Sequence, residues 1–201
     1  MFMLSFIRNI IVKNRLKKNL AKFQRLLSGD RTKGVLSKDE TLSYVKDMLL
    51  EIFGYQKNEI ISGSSIQFFD IAVKINTKIV YIIKCWPIKV NLNNFWAYYR
   101  PSKEEIKYCA ANKVNWIVFT NGVDWQLYAT SFNENGYKIE SLSFFNILSV
   151  SYTNKNDIEK LAIVAKEGVK SSFHKKVLRC QHLYERAQKE PPFEVGIIVN
   201  I

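Results

Sequence analysis

The chain has 201 residues, 47% hydrophobic and 24% charged, a balance that excludes disorder and suits one domain with extensions around a real core. Its net charge of +12 is uneven: residues 1–35 carry nine Lys/Arg against Asp30 alone, residues 36–154 twelve against eleven acids, and residues 155–201 nine against six. No apolar run approaches the ~20 residues that span a bilayer, and Arg8 and Asn9 interrupt the apolar opening Met1–Val12, which lacks signal-peptide flanks.

Residues 2–27 have helical spacing. Ile7, Ile10 and Ile11, then Leu16, Leu20, Phe23 and Leu27, are expected on one face, with Lys13, Lys17, Lys18, Lys22 and Arg25 opposite. Such a basic amphipathic helix fits three uses: docking on the main domain or on a second copy, binding nucleic acid, or lying on a membrane surface. Leaving the apolar stripe exposed would create an aggregation-prone patch, so the face is expected to be covered by protein. Ser28-Gly29-Asp30 and Lys33-Gly34 break the pattern, which places a linker at about 28–36.

A second helix starts at Ser37 or Asp39 as N-cap, buries Leu42, Val45, Met48, Leu49 and Ile52, and stops at Gly54-Tyr55. A short strand at 59–62 follows. Ile66–Ile75 and Lys78–Cys85 then read as a hairpin about Asn76-Thr77, ended by Pro87. Residues 88–101 are irregular and aromatic, with Phe95, Trp96, Tyr98 and Tyr99 before Arg100. This suits stacking on unpaired bases, a lid, or a protein contact.

Ser102 can cap a short helix to Ala111, with Glu104 and Glu105 in its first turn. Val114–Thr120 is a buried strand, Asn121-Gly122 a turn, and Trp125–Thr130 the next strand, with another hairpin at Asn135-Gly136. Trp116, Trp125 and Tyr128 are expected in the core. Asp157 to about Lys189 reads as helical. Its His174, Cys180 and His182 match no common metal-site spacing and fit a solvated helix face. The three cysteines, at 85, 109 and 180, share no short spacing, which argues against a disulfide framework and for a reducing, cytoplasmic setting.

The expected organisation is a basic helical extension and linker at 1–35, an α/β domain at 36–154 and a helical extension at 155–201. Over roughly 38–150, three features carry a resemblance: Glu40 early in a helix ahead of Gly54-Tyr55, Asp70 opening a strand, and Thr120-Asn121-Gly122 before Trp125 and Tyr128. Together they resemble the PD-(D/E)xK restriction-endonuclease-like fold, and within it the N-terminal domain of type I restriction enzyme R subunits. The resemblance implies a mixed central sheet flanked by helices, with added N- and C-terminal helices.

In active members of that family, acids hold a divalent cation that activates water, and a lysine two residues past the strand-end acid stabilises developing charge. Here the acid-x-lysine positions hold Lys84 and Trp86. An ammonium removes a ligand and adds repulsion, and an indole offers only a neutral N–H. The resemblance therefore implies a degenerate site without cofactor, with Asp70 and Lys84 expected to form an ion pair in place of the metal. It leaves a binding role, to nucleic acid (DNA first) or to a partner protein, in a restriction, defence or mobile-element context; the uneven charge and the aromatic segment put nucleic-acid contacts on Lys13, Lys17, Lys18, Lys22, Arg25 and Arg100. Without a helicase motor in this chain, action alone, as a homo-oligomer or with separate subunits is the expectation.

Two alternatives stand beside it. Glu104 falls where the family often carries the Gln of a Gln-x-x-x-Tyr pattern, four residues before Tyr108. Glu40, Asp70 and Glu104 could then bind Mg²⁺, mainly through Asp70 and Glu104, with Lys84 supplying positive charge in an active DNA endonuclease. The other alternative is an oligomerising protein-interaction module built on the terminal helices.

Overall fold

The computed structural model describes residues 2–33, 37–62, 68–88, 103–114, 116–133 and 136–169. Among the described residues, four α-helices, one 3-10 turn (Lys57–Glu59, before β1) and six strands run in the order α1 (Phe2–Lys33), α2 (Lys38–Glu51), β1 (Ile60–Ser62), β2 (Ile71–Ile75), β3 (Lys78–Cys85), α3 (Lys103–Ala111), β4 (Trp116–Thr120), β5 (Asp124–Asn133), β6 (Gly136–Asn146) and α4 (Lys155–Val164). The fold is α/β with one mixed six-stranded sheet whose spatial order equals its chain order. All neighbours are antiparallel except β3 and β4. That pair needs a crossover, and α3 lies in it.

Strand alternation divides the core. Ile71, Val73, Tyr81, Ile83, Cys85, Val118 and Trp125 belong to the large cluster shared with α1, α2 and α4. Ala72, Ile82, Ile117 and Phe119 belong to a smaller one with Phe69, Cys109 and Val114. β3 and β4 are buried on both sides, so they read as nearly continuous apolar runs.

Local chemistry sets the helix ends. Ser37 accepts from the Glu40 backbone N–H, and the Glu40 carboxylate takes the Ser37 N–H at 2.7 Å, a reciprocal cap. After α2, Gly54 adopts φ +76° and the Tyr55 N–H reaches back to the Leu49 carbonyl at 2.9 Å.

Helix α1 docks within the same chain. Val12, Leu16, Leu20, Phe23 and Leu27 are buried in the large cluster. Asn19 donates to the last carbonyl of α2, Glu51, at 2.8 Å, and Gln24 donates to Ile147 and Val150 carbonyls. Two expectations are corrected. The helix continues through Ser28-Gly29-Asp30 to Lys33, where a linker was expected. Ile10 and Ile11 are not on the docked face but about 40% exposed, because the buried set steps back from Leu16 to Val12 at four-residue spacing. The side chain of Ile7 lies outside the described residues.

Strand β2 begins at Ile71, later than expected, after Phe68 at φ +71°. Among the described residues, no helix is long and apolar enough to cross a membrane.

Candidate functional site

The candidate site lies at the carboxyl end of the parallel pair β3–β4, where open α/β sheets place their ligand crevices. A polar turn follows β4. Asn121 Oδ1 accepts the backbone N–H groups of Val123 and Asp124 at 3.0 and 2.6 Å, Thr120 Oγ1 takes the Gly122 N–H at 2.9 Å, and Trp125 Nε1 donates to the Gly122 carbonyl at 3.1 Å. Buried Asp124 accepts from Asn121 and Asn146. Gly122 sits at φ +85°, which explains why glycine follows Asn121. The Thr120 carbonyl then receives the Trp86 N–H at 3.0 Å and holds the end of β3 against β4.

Asp70 precedes β2 and is pinned by both carboxylate oxygens. Oδ2 takes the Cys85 backbone N–H at 2.7 Å, and Oδ1 pairs with Lys38 of α2 at 2.7 Å. The expected Asp70–Lys84 pair does not form. Lys84 shares its strand face with Ile82, toward α3, and its ammonium pairs with Glu105, a residue only 3% exposed. The physical reason is alternation: Cys85, not Lys84, shares the face of Ile83 that α2 covers.

Trp86, in the position of the expected lysine, packs its ring 5.5 Å from that of Phe119, which in turn lies edge-on to Tyr128 at 5.4 Å. Trp116 and Trp125 are buried as expected, and Tyr128 is half-buried.

Two of the three acids of the endonuclease alternative are exposed. Glu40 is exposed and spends its carboxylate on the α2 cap, and Glu104 is exposed in the first turn of α3. Among the described residues, no group of three or more His, Cys, Asp or Glu side chains is placed to hold a metal. The acid that does face the sheet is Glu105, one residue on, which is about 100° around the helix. The signal for it is in the sequence. Glu105 and Cys109 are four apart and form the buried stripe of α3, and a lysine on a strand face aimed at that stripe needs an acid there.

Cys109 is buried beside this pair. Burial, with the Glu105 carboxylate adding to it, pushes its thiol up to about 12, and burial raises Cys85 further still. A raised thiol pKa favours the neutral folded form, so this stability is complete below the ordinary thiol pKa near ~8.5 and is lost as pH rises from there toward about 12. In peptide mapping after alkylation of the native protein at pH 8, Cys85 and Cys109 are expected to stay unmodified. Rapid labelling of Cys109 would contradict the burial.

The basic residues of α1 are exposed: Lys13, Lys17, Lys18, Lys22 and Arg25. Lys22 already pairs with Glu51 at 2.6 Å and lies 5.1 Å from the Phe23 ring centre. Among the described residues no carboxylate pairs with the other four. Arg100, Phe95, Trp96, Tyr98, Tyr99, His174, Cys180 and His182 lie outside the described residues. Comparison with protein-family models, curated proteins and solved structures finds no match for this chain.

Proposed function

We propose that this chain is a catalytically silent α/β domain of the restriction-endonuclease-like kind, which acts by binding nucleic acid, DNA first, rather than by cutting it. One observation carries the reading: the residues at the acid-x-lysine step are spent on internal partners. Lys84 is held by buried Glu105, Asp70 by Lys38 and the Cys85 N–H, and Trp86 is packed on Phe119. A carboxylate with both oxygens engaged and an ammonium beside it is a poor ligand set for a hard dication. The binding half rests on Lys13, Lys17, Lys18 and Arg25, exposed along one helix that is fixed to the core. A restriction, defence or mobile-element setting follows from the sequence resemblance alone.

The test measures retention and cleavage of DNA on the same preparation. Four phosphate contacts predict a log–log salt slope of about −3 to −4 on duplex DNA, flattened when Lys17 and Lys18 become Glu. No cleavage is expected with Mg²⁺ or Mn²⁺. Cleavage that disappears in Asp70→Ala or Glu104→Ala would establish the endonuclease alternative instead.

A further inference from the structure

The solvent face of α1 is not simply basic. Five large apolar side chains are left exposed among the described residues, and three of them, Ile10, Ile11 and Leu26, lie on this helix; the others are Phe68 and Phe144. The three on α1 share its outer surface with Lys13, Lys17, Lys18 and Arg25, while Val12, Leu16, Leu20, Phe23 and Leu27 are committed to the core. Ile10 and Ile11 thus leave apolar surface among the cations that the chain itself does not cover. Upstream of Lys13, the first twelve residues carry a single charge, Arg8.

Phosphates of nucleic acid account for the cations but give exposed aliphatic side chains nothing to do. A bilayer surface rich in anionic lipid accounts for both. Aliphatic side chains enter the boundary between headgroups and acyl chains, and neighbouring ammonium and guanidinium groups meet the lipid phosphates at that level. Because no described helix can cross a membrane, α1 would lie in the interface.

We infer that the exposed face of α1 docks on an anionic membrane surface, through Ile10 and Ile11 together with Lys13, Lys17, Lys18 and Arg25. The inference shares with the proposed function only the assignment of this face as the polyanion surface, and it makes membrane and DNA compete for the face.

Sedimentation with vesicles of phosphatidylcholine containing phosphatidylserine tests it on the full chain. Binding is expected to rise with phosphatidylserine content and to fall about fivefold for each cation replaced by Gln. Ile10→Ser with Ile11→Ser is expected to lower vesicle binding about tenfold while leaving DNA retention unchanged, because both side chains are already solvent-facing and the core is untouched. Vesicle binding that ignores the isoleucine changes, or DNA retention without any vesicle binding, overturns the inference and leaves the proposed function standing. Vesicle binding without DNA retention keeps the inference and removes the nucleic-acid reading. Absence of both removes both.

Discussion

Replacing Glu105 by Ala is expected to lower the unfolding free energy by about 3 kcal/mol, whereas Lys84→Met combined with Glu105→Leu should leave it within about 1 kcal/mol of the parent. The asymmetry follows from where the charges sit. The Glu105 side chain is 4% exposed and that of Lys84 27%, with Ile82, Phe119 and Cys109 in the same small cluster. Removing the carboxylate takes from the Lys84 ammonium its buried counter-charge. Removing both charges together leaves space that Met and Leu can fill, since the flanking residues are already hydrophobic. Urea unfolding of Lys84→Met, Glu105→Leu and their double variant, beside Glu105→Ala, measures the coupling directly. Additive losses, or a Glu105→Ala cost under about 0.5 kcal/mol, would show that water screens the pair. The result also bears on the proposed function, because strong coupling would give Lys84 a structural role within the sheet.

Much of the scaffold around that pair is legible in the amino-acid sequence. Asn76-Thr77 between two apolar runs marks the β2–β3 hairpin, and Asn76 does take φ +57° there. The Thr-Asn-Gly turn and the doubly buried β4 follow from turn chemistry and an unbroken apolar run. What fails is rotational phase. The pattern favours Ile10 and Ile11 over Val12, within two positions of the buried residue. Apolar periodicity along a helix tolerates such a shift, because neighbouring positions carry similar residues and only the partner surface decides between them. The same limit hides the partner of Asp70. Nothing local to Asp70 shows that α2 brings Lys38 within 2.7 Å. The end of α1 is misplaced for a different reason. Gly29 has no atom within 4 Å of where a Cβ would stand, so its helix-breaking tendency of about 1 kcal/mol is overridden by the helix on either side.

That difference among glycines gives the last expected result. Gly54→Ala should destabilise the protein by about 3 kcal/mol, while Gly29→Ala should stabilise it by about 0.5–1 kcal/mol. At Gly54, φ +76° alone disfavours any L side chain, and the added methyl would occupy the place of the Arg15 guanidinium. Arg15 cannot yield freely, since it pairs with Glu167 just beyond α4. That segment is itself fastened to the same turn: Lys166 donates its N–H to the Phe53 carbonyl at 2.9 Å and its ammonium to Glu59 at 2.8 Å, and Tyr55 donates to the Val164 carbonyl at 2.8 Å. The Gly54 turn is thus where α1, α2 and the end of α4 are joined. Displacing Arg15 should loosen α1 as well as lower global stability. Hydrogen exchange is expected to show faster amide exchange over 12–27 in Gly54→Ala than in a variant destabilised equally within β4. Equal exchange in both would mean that the core contacts of Leu16, Leu20 and Phe23 hold α1 without the Arg15 link. A helix released in this way would no longer present its outward face at a fixed angle to the core. Vesicle and DNA binding should therefore weaken in Gly54→Ala even though every cation remains.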